Sequence, residues 1–530
     1  MIFTLQRYIF KELLKVFVLA TVALTLMLSF GSILKPIQDY GVGPAAIIKL
    51  LGYFLPITLT FVLPISAVFS ASLIYGRFAA DNELDACKAS GISLWTCIYP
   101  GMALAVCVSI LTLSLSFYVV PNYVHRAERA IKADAKQILF RNIERKGYYG
   151  IPGNHAKDYK IYADSVDIEN NQLEGVIVAE VKKGEMGGLV TARSANVFFE
   201  PKKQMNEVTI VAHDVTRFDS GHIAHSREFP IANQIGSLLV DNIKFKEIDE
   251  LHKIRSDVMK FFPVRRLANE SYLQLCSELL KNQIASKASP QSITQLQNAS
   301  TMLKFRARKC ISEADQKIEL IDDVVIDEYS LKTKTKTYSY HCPRAVIKLF
   351  FDENGEISAE MIAYDPKWSR PDGTTGISPD SIFQNLQLPD SIKSQLKPSI
   401  LATVMDMPSI IQNPTTTLGT MAQQLSAKIN RTYSEINAEI NSRLVLGIGC
   451  IALILIGCGL GVILKGGHLL TAFGASSVPA AILIICMMMG KHMATNKGVS
   501  SNLSGLTLMW SGLGVLIILN FIIYRRLLKN

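Results

Sequence analysis

The chain reads as an α-helical membrane protein of six spans, three and three around a large exported α+β insert that contains a β-jelly-roll-like domain. Three observations carry that expectation. Six apolar stretches reach the roughly 20 residues a helix needs to cross a bilayer. Most of the charge falls between the third and the fourth of them, and the cations on the short loops are sided. Composition agrees: the 530 residues are 49% hydrophobic and 19% charged, too apolar for a typical soluble protein and too long for one ordinary domain.

The stretches are Val16 to Leu34, Leu50 to Tyr75, Trp95 to Val120, Leu444 to Leu464, Leu469 to Gly490 and Ser504 to Tyr524. The first is longer than the apolar core of a signal peptide and has no small-residue cleavage site, so it reads as a retained span. Arg7, Lys11, Arg77, Lys88, Lys465, Arg525, Arg526 and Lys529 gather on one side, against Lys35, Lys49, Lys491 and Lys497 on the other. Cations on short loops mark the cytoplasmic side, so both termini are expected there. An insert that follows an odd number of spans then lies outside the cytoplasm, in the periplasm of a cell with two membranes.

Residues 1–120 form the first membrane block, with a cytoplasmic loop at 77–94, and residues 444–530 the second. Between them, 121–158 begins as a helix from Asn122 to about Glu144, with Val124, Ala127, Ile131, Ala135 and Ile138 at helical spacing. Arg126, Arg129, Lys132 and Lys136 share another side of it. Residues 159–243 change to short β-rich runs: Tyr159 to Ala163, Gly175 to Val181, Asn196 to Phe199 and Glu207 to Val211, separated by turn residues. That texture predicts an antiparallel sandwich or jelly roll. The stretch 244–417 is read as helix-favouring from about Phe245 to Asp322, interrupted near Ser286 to Ser292. A hairpin of Ala345 to Phe351 and Ile357 to Tyr364 follows, turning at Asp352 to Gly355, and then mostly loop from Pro366 to Thr417. Residues 418–443 form a last soluble helix with Leu418, Met421, Leu425, Ile429, Ile436 and Ile440 on one seam.

Several function classes are excluded or disfavoured. The formal charge of +10 is not gathered into a tract, so no nucleic-acid partner is expected. There is no phosphate loop of the G-x-x-x-x-G-K-[ST] kind, so nucleotide energy must come from a partner, and no G-x-S-x-G nucleophile elbow. No catalytic residue, cofactor or metal is predicted. His222 and His225 are spaced to point to opposite faces of a strand, and His341-Cys342 offers only two neighbouring ligand types. The central parts of the spans carry no Asp, Glu, Lys, Arg or His, which argues against an ion-coupled carrier. Of the nine cysteines, Cys276, Cys310 and Cys342 lie in the insert, where a Cys276–Cys310 bridge and unpaired buried thiols are both open. Gly457 and Gly461 form a G-x-x-x-G for close helix approach, by internal packing or at a subunit contact.

The cytoplasmic loop carries the most distinctive short segment. Asp81 or Asn82 is placed to cap a short helix, Asp85 suits its first turn and Gly91 its end, with Arg77, Glu83 and Lys88 completing a mixed-charge surface. Its plain reading is a solvated connector; its functional one is a docking element for a soluble motor.

Here the chain resembles the lipopolysaccharide-export permeases of the LptF/LptG (YjgP/YjgQ) type. The resemblance is carried by Arg7-Tyr8-Ile9-x-Lys11-Glu12, by Leu55-Pro56 and Pro64, by Asp81-Asn82-Glu83-Leu84 with Ala89-Ser90-Gly91-Ile92-Ser93, by Glu435 to Arg443 and by the glycine-rich fourth span. It implies a permease half of an ABC exporter: a cytoplasmic ATPase dimer, a second homologous permease chain, and a periplasmic jelly-roll bridge that takes lipopolysaccharide or a related glycolipid extracted from the inner membrane. Carried onto this sequence, Asp81 to Gly91 match the coupling helix. Lys35, at the outer end of the first span, falls where the family places basic residues near cargo phosphates, and Arg126, Arg129 and Lys132 add positive charge there. Glu439 and Arg443 read as a structural i, i+4 pair. The segment from about Lys244 to Thr417 has no counterpart in the compact family pattern. The reading from another class is a non-transporting membrane scaffold that displays the insert for envelope assembly.

Overall fold

The structure is a computed structural model. It describes residues 2–40, 44–133, 140, 143–152, 157–167, 170–182, 185–201, 206–219, 222–235, 241–286, 294–312, 317–352, 355–378, 380–411, 414–464, 469–496 and 499–529. The helices in chain order begin with α1 (Ile2–Tyr40), α2 (Pro44–Ala80), α3 (Glu83–Ala89), α4 (Leu94–Ser114) and α5 (Val120–Ala133). Next come α6 (Ile248–Ser256), α7 (Phe262–Ser286), α8 (Asp390–Lys393), α9 (Ile400–Met405) and α10 (Met407–Ile410). The last are α11 (Thr416–Ile463), α12 (Leu469–Asn496) and α13 (Val499–Lys529). The chain divides into two compact units, Met1–Arg255 with Tyr433–Asn530, and Ser256–Thr432.

The first unit holds the long apolar helices. Among the described residues six segments are long and apolar enough to cross a membrane: Phe3–Ser29, Gly52–Ala80, Leu94–Arg129, Thr416–Ile463, Gly474–Thr495 and Leu503–Leu527. In lipid every backbone group needs an internal partner, and the local chemistry supplies it. Pro100 in α4 has no N–H, which frees the Thr96 carbonyl, and Gln6 Nε2 donates to it at 3.4 Å. One residue on, the Tyr75 hydroxyl enters the ladder itself, donating to Cys97 O at 2.9 Å and accepting from Gly101 N at 3.2 Å. Tyr75 is wholly buried, so these two bonds satisfy its only polar group.

Glycine sets how closely α11 approaches α2. A Cβ at Gly457 would stand 3.0 Å from Val68 O, and one at Gly461 2.8 Å from Ser72 O and 3.0 Å from Gly76 N. The two glycines therefore hold backbone against backbone within one chain, the internal-packing role of the motif.

The same unit carries an antiparallel sheet of β1 (Tyr148–Pro152), β2 (Lys157–Tyr162), β3 (Ser165–Asp167), β4 (Gln172–Lys182), β5 (Glu185–Pro201), β6 (Asn206–Asp219) and β7 (His222–Ile235). Its order is β1-β2-β4-β5-β6-β7, with β3 on β4. Strands that neighbour in sequence neighbour in space, so the sheet is a meander; among the described pairings there is no Greek-key crossover of the jelly-roll kind. Ile161, Leu173, Val176, Val178, Ala195, Val197, Ile210 and Ala212 fill its buried face, together with Phe140 and Ile143. The two latter fall in the stretch read as a helix from Asn122 to Glu144, of which 134–139 and 141–142 lie outside the described residues.

The second unit differs most from the expectation. Among its described residues, helix is limited to a single 3-10 turn at Val258–Lys260, to α7, to the short α8, α9 and α10, and to the first part of α11. Between α7 and α8 the unit is built of strands: β8 (Thr294–Gln297), β9 (Thr301–Arg306), β10 (Lys309–Ser312), β11 (Lys317–Ser330), β12 (Lys336–Phe351), β13 (Ile357–Tyr364), β14 (Lys367–Ser369), β15 (Thr375–Ile377) and β16 (Asp380–Gln387). The helix-favouring reading thus fails from Thr294 on, and the loop reading of Pro366 to Thr417 gives way to three strands and α8 to α10. The predicted hairpin is present as β12 and β13, with Gly355 at φ +81° in its turn. Besides the order β10-β11-β9-β8-β16-β13-β12-β14-β15, β11 pairs with β12, which closes β11, β9, β8, β16, β13 and β12 into a ring. Closure leaves those strands without free edges. Along β12 the buried Ile347 and Leu349 flank the exposed Lys348, the two-residue period of a one-sided strand. Cys276, Cys310 and Cys342 are free thiols, not a bridge, and burial pushes them up to about 12, 11 and 11.

Candidate docking helix and boundary charges

The loop singled out in the sequence folds as a seven-residue helix, α3, between two membrane-length helices. Of the two predicted caps, Asn82 takes the position, with a left-handed backbone, φ 57°, but without the side-chain bond. Asp81 N and Asn82 N instead close the last turn of α2, on Arg77 O at 2.8 Å and Ala79 O at 3.3 Å. The Asp81 carboxylate faces Arg77 at 3.9 Å.

At the other end Gly91 does turn the chain. Its φ of +79° is open to glycine at little cost, and Ile92 N returns to Cys87 O at 3.0 Å. Ser93 then starts α4, accepting from Thr96 N at 3.4 Å. The result is a helix pinned on one side: Leu84 is buried and Cys87 packs half-buried against the same core, whereas Asp81, Asn82, Glu83, Asp85, Lys88 and Gly91 are exposed. Glu83 and Asp85 fall in the first turn and Lys88 in the last, each on the end of the macrodipole that favours its charge.

The cations expected near the opposite end are only partly described. Arg126 and Arg129 are exposed on α5, Arg126 5.5 Å over the Tyr123 ring, while Val124 and Ala127 are buried. Lys35 lies in α1 and Lys132 in α5, with side chains outside the described residues, as is Lys136 altogether.

Glu439 and Arg443 are the expected i, i+4 pair, at 3.0 Å, but the structure adds members that sequence spacing could not supply. Glu439 Oε2 also accepts from Lys491 Nζ of α12. Arg443 donates to Lys246 O at 3.1 Å and Lys244 O at 2.9 Å, and its guanidinium lies 5.4 Å over the Phe117 ring. Both members of the pair are at least nine-tenths buried. Lys244 sits close enough to feel the others: burial, then the charge of Lys491, holds its ammonium below the usual lysine range, with Glu439 opposing. The signal for Lys491 was its position as a short-loop cation at the end of the fifth span; for Lys244 there was none.

Among the described residues no group of three or more His, Cys, Asp or Glu is placed to hold a metal ion. His222 and His225 pair with Asp219 and Thr216 in the strand ladder.

Six membrane-length helices together with a β-rich region define a multi-pass membrane protein. A family model described as lipopolysaccharide export system permease LptF/LptG matches residues 7–261 and 311–526, and the chain belongs to that family. It is a family of transport permeases, not of enzymes, and it implies a role in lipopolysaccharide export. The match also narrows what is peculiar to this chain: of the stretch 244–417 set apart in the sequence, the part that the family model leaves unmatched is 262–310. A search of curated proteins finds no match.

Proposed function

We propose that this chain is one permease half of an ABC-type exporter in the inner membrane, with both termini cytoplasmic, three spans on each side of the insert, and the insert periplasmic. A second homologous permease chain completes the membrane gate, and a cytoplasmic ATPase dimer drives it. The cargo, lipopolysaccharide or a related glycolipid, leaves through the sheet of β1 to β7 to a periplasmic jelly-roll bridge.

The observation that carries this reading is α3. It interrupts two membrane-length helices with seven residues, anchors through the buried Leu84 with Cys87 packed beside it, and presents Glu83, Asp85 and Lys88 outward. A motor that moves α3 moves the ends of α2 and α4 with it, because the links at Asp81–Asn82 and Gly91–Ser93 are short and hydrogen-bonded. Arg77 and Asp81 stiffen the first of these links. On the far side, Arg126 and Arg129, exposed on α5, offer positive charge to the phosphates of the cargo, and Lys35 and Lys132 are assigned the same role from their places in the sequence.

The deciding experiment is a double substitution, Glu83→Lys with Asp85→Lys. The variant should insert normally but lose its ATPase on purification and lose stimulated ATP turnover. Undiminished co-purification and turnover would refute the docking role. For the cargo, Lys35→Glu should weaken photo-crosslinking of an acidic glycolipid to the first span, and equal crosslinking would reduce Lys35 to an interfacial anchor.

A further inference from the structure

The end of α13 carries a feature that neither motor docking nor cargo passage uses. Phe521, Ile522, Arg525, Arg526 and Lys529 line a cavity of about 340 Å³. Their spacing, i, i+4, i+8 for Phe521, Arg525 and Lys529 and i, i+4 for Ile522 and Arg526, puts them on one face of the helix. The other face looks inward: Tyr524 and Leu527 are buried, and the Tyr524 hydroxyl donates to Leu455 O at 3.1 Å.

The lining is graded along the helix axis. Phe521 and Ile522 are 68% and 57% exposed, and one turn further the surface becomes cationic. Among the described residues, none of Arg525, Arg526 and Lys529 makes an ion pair with a carboxylate. Arg525 and Arg526 one turn, and Lys529 two turns, beyond two exposed apolar side chains, with no ion pair among the described residues, match one molecule that is anionic at its head and apolar in its tail. The place is also defined: Trp95, at the start of α4 just after Gly91 and Ser93, stacks on Tyr524 at 5.4 Å, so the cavity lies at the end of the helices that carries α3.

We propose that this cavity is a binding site for an anionic glycerophospholipid of the leaflet on the α3 side, its phosphate held by Arg525, Arg526 and Lys529 and its acyl chain laid along Phe521 and Ile522. The site needs only the membrane reading of the chain, so its test does not depend on cargo or motor. The full-length chain, purified in detergent, is supplied with phosphatidylglycerol or phosphatidylcholine, and retained lipid is counted by native mass spectrometry. The wild type should retain phosphatidylglycerol preferentially. Each basic residue near an anionic lipid contributes about a fivefold preference, so Arg525→Gln with Arg526→Gln and Lys529→Gln should lower retention at least fivefold.

A second variant, Phe521→Ser with Ile522→Ser, leaves the cations in place and tests the apolar half, guarding against a triple variant that misinserts. It too should lose phosphatidylglycerol, and excess inorganic phosphate should displace little of the lipid from the wild type. Equal retention in the triple variant overturns the site. So does full displacement by phosphate, which would leave a bare anion site, or loss of a protein partner with lipid retention unchanged, which would make the face a protein contact.

Discussion

Glu439 holds two cations at once, Arg443 at 3.0 Å and Lys491, within the field of Lys244. Replacing it with Gln leaves buried positive charge uncompensated, a change that costs about 3–5 kcal/mol in comparable sites. Thermal unfolding of purified Glu439→Gln should therefore show a large loss. Lys491→Met should show a smaller one, since Lys491 is the more exposed partner. Unchanged melting of Glu439→Gln would mean that the cluster carries no net stability. A second carboxylate gives a pH-dependent effect. The Glu250 carboxyl is held below the usual range by His125 first and Lys246 after, with burial opposing. A carboxyl lowered on folding contributes stability that is fully present above its unfolded value near pH 4.3 and is lost as pH falls through the lower folded value. The unfolding midpoint should accordingly drop as pH falls below about 4.3, and Glu250→Gln should flatten that part of the drop. An identical acid limb in the variant would sink the assignment.

At the scale of elements, the N-terminus of α11 is tied to α7 by a single buried carboxylate. Glu278 accepts from Thr415 N at 3.2 Å and from the Thr415 hydroxyl, which in turn accepts from Leu418 N at 3.3 Å. Thr415→Val removes a helix cap and leaves Glu278 half satisfied, so a loss of about 1–2 kcal/mol is expected in denaturant unfolding. Elements of this kind show what a sequence exposes. The apolar helices were legible because a bilayer demands about 20 apolar residues in a row, and the Asp352–Gly355 hairpin because its turn residues are local. The strands of 294–330 were not. Charged Lys304, Glu319, Asp322 and Asp323 mimic a solvated helix, and the two aspartates take left-handed φ of 62° and 55° at a bulge that breaks the alternation. At the candidate site, Gly91 was readable from backbone need alone. The cap position was readable at Asn82, but not that its side chain would make no cap bond from a left-handed backbone, with the N–H groups of Asp81 and Asn82 closing the end of α2. Lys244 stands 199 residues from Arg443, which binds its carbonyl, and no local pattern spans that distance.

At the scale of the molecule, the stretch that the family model leaves unmatched, 262–310, is not an appendage of its unit. It contains α7, whose Leu275, Cys276 and Leu280 are fully buried and whose Tyr272 stacks on Phe351 of β12 at 6.2 Å. It also contains β8 and β9, the two strands that link β11 to β16 and so close the ring. Deleting them opens an edge on β11 and another on β16, exposing Ile326, Leu386 and the unpaired ladder groups beside them. An insertion grafted onto a self-sufficient fold would leave on deletion a stable remainder; a segment that completes a ring would not. Replacing 262–310 with a short Gly/Ser linker should therefore destroy the trypsin resistance of 317–387, read by mass spectrometry of the limit fragments from the full chain. Persistence of a resistant 317–387 fragment would show that the matched strands form a complete fold by themselves and that the ring is dispensable.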